Sequence, residues 1–486
     1  MIGTRQRKTA RKRVFPVLLI LAAVSTGCAA VGPNYVEPKV ALSGQWNTEI
    51  EGGLRARATD PLEPANWWTA FHDPVLSGLV ERAVAGNMDL KQAKSRMREA
   101  RARRGVAKAD LFPSVDASGS YNKSRSSKDI GSGAEVDLYS TSFDANWELD
   151  IFGGVRRSLE AAKEDLHASR EDLRDVLVSL VAEVGLNYVE ARTFQTRLEV
   201  AEKNLESQQE TYQLTQSRCQ AGLSDELAVR QAKYNVENTR SQIPTLRTGL
   251  EESMNRLAVL LGEQPGAMHV QMRQREPIPV APPEVAVGVP ADILRRRPDV
   301  RRAEKELAAQ TARVGVAVAD LYPKFTLNGS IGLDALTFTN LFSASSRAFS
   351  FGPSISFPVF KAGAIRNNIE VQSALQEQAL IAYEASILGA LEEVENGLAA
   401  YAEEQNRRRS LAEATDAARQ AAVLAEDQFN AGLIDFNNVL DAQRSLLSFE
   451  DQLAQSDGTV TSNLIRLYKA LGGRLDSAFS ANGRYR

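Results

Sequence analysis

Two stretches of fifteen residues decide the fold of this chain, because the second repeats the first. The first is Ala107-Lys-Ala-Asp-Leu-Phe-Pro-Ser-Val-Asp-Ala-Ser-Gly-Ser-Tyr121, and the second is Ala317-Val-Ala-Asp-Leu-Tyr-Pro-Lys-Phe-Thr-Leu-Asn-Gly-Ser-Ile331, with seven identities at a separation of 210 residues. The same separation relates 221–223 to 431–433, which both read Ala-Gly-Leu, and 261–262 to 471–472. Three matches in one register indicate a tandem duplication. The 486 residues therefore contain two similar halves, 67–262 and 290–473, joined by the Pro-rich stretch 263–289.

Each half contains a long helical region. No proline occurs between residues 114 and 243 or after Pro358. In both of these proline-free stretches apolar residues recur every seven positions, as they do in coiled coils. The first series includes Leu159, Leu166, Leu173 and Leu180, and the second includes Leu380, Ile387, Val394 and Tyr401. Gly222 and Gly432 can close a helix in the left-handed conformation, and Asp225 and Asp435 can cap the returning helices. The sequence predicts helical hairpins at 155–261 and 364–471, with a kink at Pro244.

A segment in which apolar and polar residues alternate precedes each long helix. From Tyr139 to Ile151 apolar and aromatic residues alternate with polar ones, and a similar alternation runs from Phe349 to Val359. Shorter partners begin after Pro113 and Pro323, so we expect strand pairs at 114–151 and 324–360 with polar loops at 122–136 and 334–347. In this arrangement Trp147 and Phe357 would lie on the apolar faces. The same alternation also fits a soluble sheet with one wet face.

The first 27 residues are predicted to be a signal peptide. Six basic residues are followed by an apolar run from Val14 to Val24, which is too short to span a membrane. The following Ser25-Thr26-Gly27-Cys28 is similar to a lipoprotein cleavage site, although Ser25 stands where Leu is usual. Cys28 would then be the lipidated N-terminus of an extension covering 28–66, whereas the alternative is an ordinary secretory signal with a chance cysteine.

The predicted signal peptide and the amphipathic strands together indicate a membrane protein. Strands of about 9 to 13 residues can cross a bilayer when tilted. Four strands cannot close a barrel, and an open sheet edge is not tolerated in lipid. The barrel must therefore combine strands from several chains.

Composition argues against other classes of function. Without the six N-terminal basic residues, the chain has 52 basic and 61 acidic residues. This negative net charge is unfavourable for nucleic-acid binding. Three scattered histidines, two cysteines and the absence of a nucleophile elbow or phosphate loop predict no enzyme, no cofactor and no metal site. A periplasmic adaptor is a rival interpretation, but such a protein would carry one hairpin rather than two in tandem.

The motifs resemble those of the outer membrane factors, the TolC-like exit ducts of efflux and secretion systems, and in particular the OprM-like lipoproteins. The residues that carry this resemblance are Cys28 followed by Gly32-Pro-Asn-Tyr-Val-Glu-Pro38, Trp67-Trp68 ahead of Phe71-His-Asp-Pro74, Pro290 with Leu294-Arg-Arg-Arg-Pro-Asp-Val-Arg301, the two Asp-Leu-Phe/Tyr-Pro strand starts, and Gly432-Leu433 leading to Leu440-Asp-Ala-Gln-Arg-Ser-Leu446. The resemblance implies an α+β membrane protein. Three copies would form a homotrimer with a 12-stranded barrel and a helical periplasmic tunnel, with 263–289 at the tunnel equator and 474–486 as a C-terminal tail.

The resemblance also implies partners and site residues. The partners are a periplasmic adaptor, an inner-membrane pump of the RND type and outer membrane lipids, in a Gram-negative cell. Asn437 and Asp441 match positions of the periplasmic gate, where Asp441 would form a ring of three carboxylates; the alternative is a solvated charge on the helix surface. Adaptor contacts would fall at the hairpin tips, on Arg218, Gly222, Leu223, Gly432 and Leu433. Efflux of drugs is the expected function, and type I protein secretion or metal-ion efflux are the alternatives.

Overall fold

The computed structural model describes residues 30–38, 45–48, 54–56, 63–280, 285–287, 290 and 296–472. The predicted signal peptide, Cys28 and the predicted C-terminal tail lie outside these residues. The chain divides into two compact units. Of the described residues, the sheet unit contains those within 30–38, 96–170 and 302–383, and the helical unit contains those within 45–95, 171–301 and 384–472.

The helices and strands follow the duplication closely. The helices are α1 (Pro74–Gly86), α2 (Met88–Ala109), α3 (Gly154–Gln220), α4 (Glu226–Leu261), α5 (Pro298–Ala319), α6 (Ala364–Asn430) and α7 (Phe436–Ala470). The strands are β1 (Leu54–Ala56), β2 (Ser114–Arg125), β3 (Glu135–Leu149), β4 (Val285–Val287), β5 (Lys324–Ala335) and β6 (Arg347–Ser356). The long helices α3 and α6 both have 67 residues, and their first and last residues are 210 positions apart.

The sheet unit is built on four antiparallel strands in the order β2-β3-β5-β6. Because β3 pairs with β5, the two halves of the chain form one sheet. The other two strands, β1 and β4, pair in parallel in the helical unit. Within the described residues, β2 and β6 each have one neighbour and therefore form the open edges of the sheet.

The two faces of this sheet differ in chemistry. One face exposes large apolar side chains along all four strands: Val115, Tyr121, Phe143, Ile331, Phe349, Phe351 and Ile355. On the other face, Ser118 and Ser142 both donate hydrogen bonds to the Asp144 carboxylate, at 3.1 and 2.7 Å. The side chains of Asn146 and Asn328 are also joined across strands, at 2.6 Å. An apolar outer face and a hydrogen-bonded polar face are the pattern of a transmembrane strand.

Aromatic clusters lie at both ends of the strands. At the loop end Tyr121 and Tyr139 have ring centroids 4.8 Å apart, and Phe338 packs against Tyr139 at 5.7 Å. At the opposite end Phe152 stacks on Tyr322 at 4.6 Å. Such girdles mark the two interfaces of a membrane-spanning sheet.

The N-terminal segment is fixed at the Phe152 end of the sheet. The Val31 amide donates to the Phe152 carbonyl at 3.0 Å, and the buried Arg157 guanidinium donates to the Val31 carbonyl and to Asn34. Gly32 has a φ of +85°, and a Cβ at this position would lie 2.5 Å from the Cα of Gly315. The close approach explains why glycine occupies this position of the motif.

The core of the helical unit is apolar and aromatic. Trp67 stacks on Tyr468 at 5.8 Å, within a cluster formed by α1, α3, α4, α6 and α7. The Tyr188 hydroxyl donates to Asp73, whose other carboxylate oxygen caps α1. Burial and this hydrogen bond raise the pKa of Tyr188. The fully buried Arg192 donates to the Gln274 carbonyl and to Glu276, so the stretch after α4 packs on the core.

Several details differ from the sequence predictions. The first loop is shorter than predicted, since β2 extends to Arg125 and β3 begins at Glu135. At the opposite end the strands stop earlier than predicted, since β3 ends at Leu149 and β6 ends at Ser356, so Phe357 lies just beyond the last strand. Helix α4 does not end at Pro244, and the kink expected there stays a prediction. Asp225 accepts a hydrogen bond from the Ala228 amide as predicted, but Asp435 makes no side-chain capping bond, so only the first returning helix is capped in this way. Among the described helices, none combines the length and apolar character needed to cross a membrane.

The two faces of the sheet can be compared at adjacent residues. We expect Phe143→Arg to lower the free energy of unfolding in the membrane by about 2–4 kcal/mol, because it places a charge on the apolar face. Asp144→Arg, on the polar face, serves as the matched control and should cost less than half as much. Denaturant titration of the protein in lipid vesicles measures both values. Equal losses from the two changes would mean that the face assignment is wrong.

Candidate functional site at the hairpin tips

The two hairpin tips have nearly the same backbone geometry. Gly222 and Gly432 have φ values of +72° and +73°, in the left-handed region that glycine adopts without strain. The Leu223 amide donates to the Arg218 carbonyl at 2.8 Å, and the Leu433 amide donates to the Gln428 carbonyl at 2.9 Å. Helices α3 and α6 therefore end in the same backbone motif.

The tips pack against each other through a small apolar cluster. Its buried members are Ala228, Ala232, Phe436, Val439 and Leu440. Arg218 lies with its guanidinium 4.5 Å from the centroid of the Phe429 ring, and Phe429 packs against Phe436 at 5.2 Å. Arg218 therefore joins the first tip to the second within one chain.

The leucines that follow the tip glycines remain exposed. Leu223 is 71% exposed and Leu433 is 74% exposed. Because the two leucines are equivalent in the repeat, each hairpin tip exposes one apolar side chain at the same position. Apart from the adjacent residues in the chain, no atom lies within 4 Å of a Cβ built on Gly222 or Gly432, so both turns are exposed.

Asp441 lies on an accessible face of α7. Its side chain is 76% exposed, and its carboxylate is 3.4 Å from the Arg444 guanidinium. Arg444 in turn donates to Asn235 at 3.0 Å and lies 4.9 Å from the centroid of the Tyr234 ring. Asp441 is thus connected through Arg444 to α4 of the other hairpin.

Sequence reasoning identified Asp441 but missed Arg444 and Tyr234. Tyr234 and Arg444 occupy the same position of the repeat, 210 residues apart, but this equivalence does not predict that they touch. Asn437 is exposed in the first turns of α7. Cys219 is a free, partly buried thiol close to the first tip.

Polar contacts join the hairpins between the tips and the apolar core. The buried Gln443 amide donates to Thr211 and to Glu426, both at 2.9 Å. Asn204 donates to Glu450 at 2.9 Å. This part of the interface therefore contains buried hydrogen bonds between the hairpins.

The described residues contain no group of His, Cys, Asp or Glu side chains arranged to hold a metal ion. Cys28, the predicted lipidation site, lies outside the described residues.

Comparison with known proteins identifies the family. Residues 79–263 and 289–473 each match the family described as outer membrane efflux protein. The chain is 32% identical to the solvent efflux pump outer membrane protein SrpC of Pseudomonas putida, over 94% of this chain and 98% of the relative. It is 31% identical to the cation efflux system protein CusC of Escherichia coli, over 95% and 98%.

A solved structure of the outer-membrane channel OprN superimposes with a TM-score of 0.86 at 36% identity, covering 92% of this chain and 99% of that one. These matches confirm the predicted fold class, the outer membrane location and the function as an efflux channel. The family is one of efflux channels rather than of enzymes. The gate, the tip contacts and Cys28 lipidation stay predictions. The chain belongs to the outer membrane efflux protein family.

Proposed function

We propose that this protein is the passive exit duct of a tripartite efflux system, working as a homotrimer with a periplasmic adaptor and an inner-membrane RND-type pump. The observation that carries this proposal is the sheet of four strands with an exposed apolar face and two open edges, followed by two long hairpins. Three such sheets supply the twelve strands needed to close a barrel. The hairpins then extend the duct into the periplasm.

The cargo is small molecules delivered by the pump. SrpC is named for solvents and CusC for cations, yet the chain is almost equally similar to both. Selection of the cargo, including the alternatives of metal ions or a secreted protein, therefore belongs to the pump.

Cys28 is proposed to carry a lipid anchor. Val31, three residues further on, is fixed beside Phe152 at one end of the sheet. Acyl chains on Cys28 would thus enter the membrane near the aromatic girdle of that end. Since the sheet itself holds the protein in the membrane, the lipid adds to an anchorage that already exists.

The exposed leucines at the tips are proposed to contact the adaptor, together with Arg218 and the two turn glycines. Leu223→Asp combined with Leu433→Asp should reduce copurification of the adaptor and pump at least tenfold, because a charge would be buried without a partner. Val270→Asp, at a residue 88% exposed and remote from the tips in sequence, is the control. Affinity purification from membranes, with light scattering to verify the trimer, measures the effect. Undiminished adaptor recovery in the double variant would contradict the tip assignment.

Asn437 and Asp441 are proposed to line the periplasmic gate. Three Asp441 carboxylates around a narrow opening would attract cations and restrict flow. Opening follows from partner contacts that favour a separated arrangement of the hairpins over the closed one. The polar interface around Gln443 supports this step, because its hydrogen bonds can be exchanged for bonds to water at small net cost.

We expect Asp441→Ala to raise single-channel conductance and weaken cation preference while the trimer stays intact. Asp416→Ala is the matched control, since Asp416 is similarly exposed and is also paired with an arginine three positions later. Planar-bilayer recordings measure both quantities. If Asp441→Ala behaves as Asp416→Ala does, Asp441 is a surface charge and the constriction lies elsewhere.

A further inference from the structure

An exposed arginine lies at one end of the apolar face of the sheet. Arg347 is the first residue of β6, directly opposite Leu333 of β5, and Phe349 follows it two positions along the strand. Side chains two positions apart share a face of a strand, so Arg347 falls on the apolar face with Phe349, which is 85% exposed. Asp334, the residue after Leu333, falls on the polar face instead.

The repeat shows that this charge is not balanced. At the equivalent place in the first half, Lys123 faces Asp137 across β2 and β3, and Lys123 also pairs with Glu135 at 3.1 Å. The second half has Leu333 and Arg347 at these two positions, 210 residues later. Within the described part of the chain Arg347 has no ion-pair partner. The cation is therefore available to an anion from outside the chain.

The loop after β5 adds exposed aromatic rings at the same end of the sheet. Phe338 packs against Tyr139 of the apolar face, and Phe342 packs against Phe338 with ring centroids 6.4 Å apart. Phe338 is 61% exposed and Phe342 is 74% exposed. The loop is held by the Ser346 hydroxyl, which donates to the Asn340 carbonyl at 2.6 Å. These rings therefore extend the apolar face at the end where β6 begins.

This end of the sheet faces the cell exterior. The long helices α3 and α6 begin at the other end, after Leu149 and Ser356. Since the chain belongs to a family of outer membrane efflux channels and its hairpins extend into the periplasm, the loop end lies in the outer leaflet. That leaflet of a Gram-negative outer membrane is built from lipopolysaccharide. The lipid A part of lipopolysaccharide combines phosphate groups with several acyl chains.

We propose that Arg347 binds a phosphate of lipid A in the outer leaflet, while the exposed rings of Phe338, Phe342 and Phe349 contact its acyl chains. The inference rests on the proposed duct, because the sheet must span the outer membrane with its hairpins in the periplasm. A guanidinium donates two parallel hydrogen bonds to phosphate oxygens, in a fixed geometry that an ammonium lacks. A soluble anion would use the cation alone, whereas lipid A uses the cation and the rings together.

The position of Arg347 at the end of its strand suits this role. A charged side chain on the lipid face is costly at the middle of the bilayer but costs little near the interface, where headgroups and water reach it. Phe349, two residues deeper, lies where acyl chains begin. The same side chain placed deeper in the strand would meet acyl chains without a phosphate.

The test measures binding of purified lipid A to the full-length protein in detergent by native mass spectrometry. Arg347→Gln should raise the apparent Kd about tenfold, because the charge and both hydrogen bonds are lost. Arg347→Lys should raise it about threefold, since the charge stays and the paired geometry is lost. Arg125→Gln is the matched control, because Arg125 lies at the same end of the same face but already pairs with Glu135, at 3.8 Å. This control should change the Kd by less than about twofold.

Two further ligands separate phosphate recognition from other causes. Lipid A stripped of its phosphates and phosphatidylglycerol should each bind the unaltered protein about tenfold more weakly than lipid A does. Equal binding of the stripped lipid would overturn the phosphate contact, and equal, Arg347-dependent binding of phosphatidylglycerol would overturn the assignment to lipid A. An equal loss in Arg125→Gln would show that net charge decides binding and that Arg347 has no special role.

Light scattering reports the oligomeric state of each variant separately. Loss of the trimer in Arg347→Gln would identify Arg347 as a contact between chains and overturn the lipid site. A trimeric Arg347→Gln variant that binds lipid A as the unaltered protein does would also overturn the site, while leaving the duct in place. An unaltered protein that forms neither trimers nor channels in planar bilayers would overturn the duct itself.

Discussion

Backbone hydrogen bonding where water is absent is the constraint on which the rest of this molecule depends. The apolar residues on one face of the four-stranded sheet place it in lipid, where an unpaired N–H or C=O costs several kcal/mol. Strands β2 and β6 each have one neighbour within the described residues. A single chain therefore leaves two edges of the sheet unpaired within the described residues.

Duplication gives a simple solution to this problem. A unit of strand pair and helical hairpin that can join its own copy within the chain can also join the copy in another chain. The two joints are similar without being identical, because residues at equivalent positions differ: Phe143 corresponds to Pro353, and Tyr234 to Arg444. Equivalent residues of the two halves can therefore make different contacts.

The hairpins show a corresponding gradient in packing. Around Trp67 and Tyr188 the helices bury aromatic and aliphatic side chains, and each Å² of such surface contributes about 25 cal/mol. Closer to the tips, contacts such as Gln443 with Thr211 are hydrogen bonds, whose net contribution is about 1 kcal/mol because water can replace them. Hydrogen-bonded contacts of this kind stabilise the hairpin interface less than the buried surface of the core does, and the tips themselves bury only a small apolar cluster.

The sequence by itself determined the duplication, the two hairpins, the strand pairs and the family. These features depend on local periodicity and on glycines such as Gly222 and Gly432, which mark the left-handed residue at a helix end. It placed Asp441 on α7 but could not find its contact with Arg444, nor the stacking of Arg218 on Phe429. It overestimated the first loop and assigned Asp435 a capping bond that is absent. Those features depend on which side chains meet across distant helices and on where strand pairing ends. Only the tertiary structure decided them, since packing between segments 200 residues apart leaves no periodic trace in either segment.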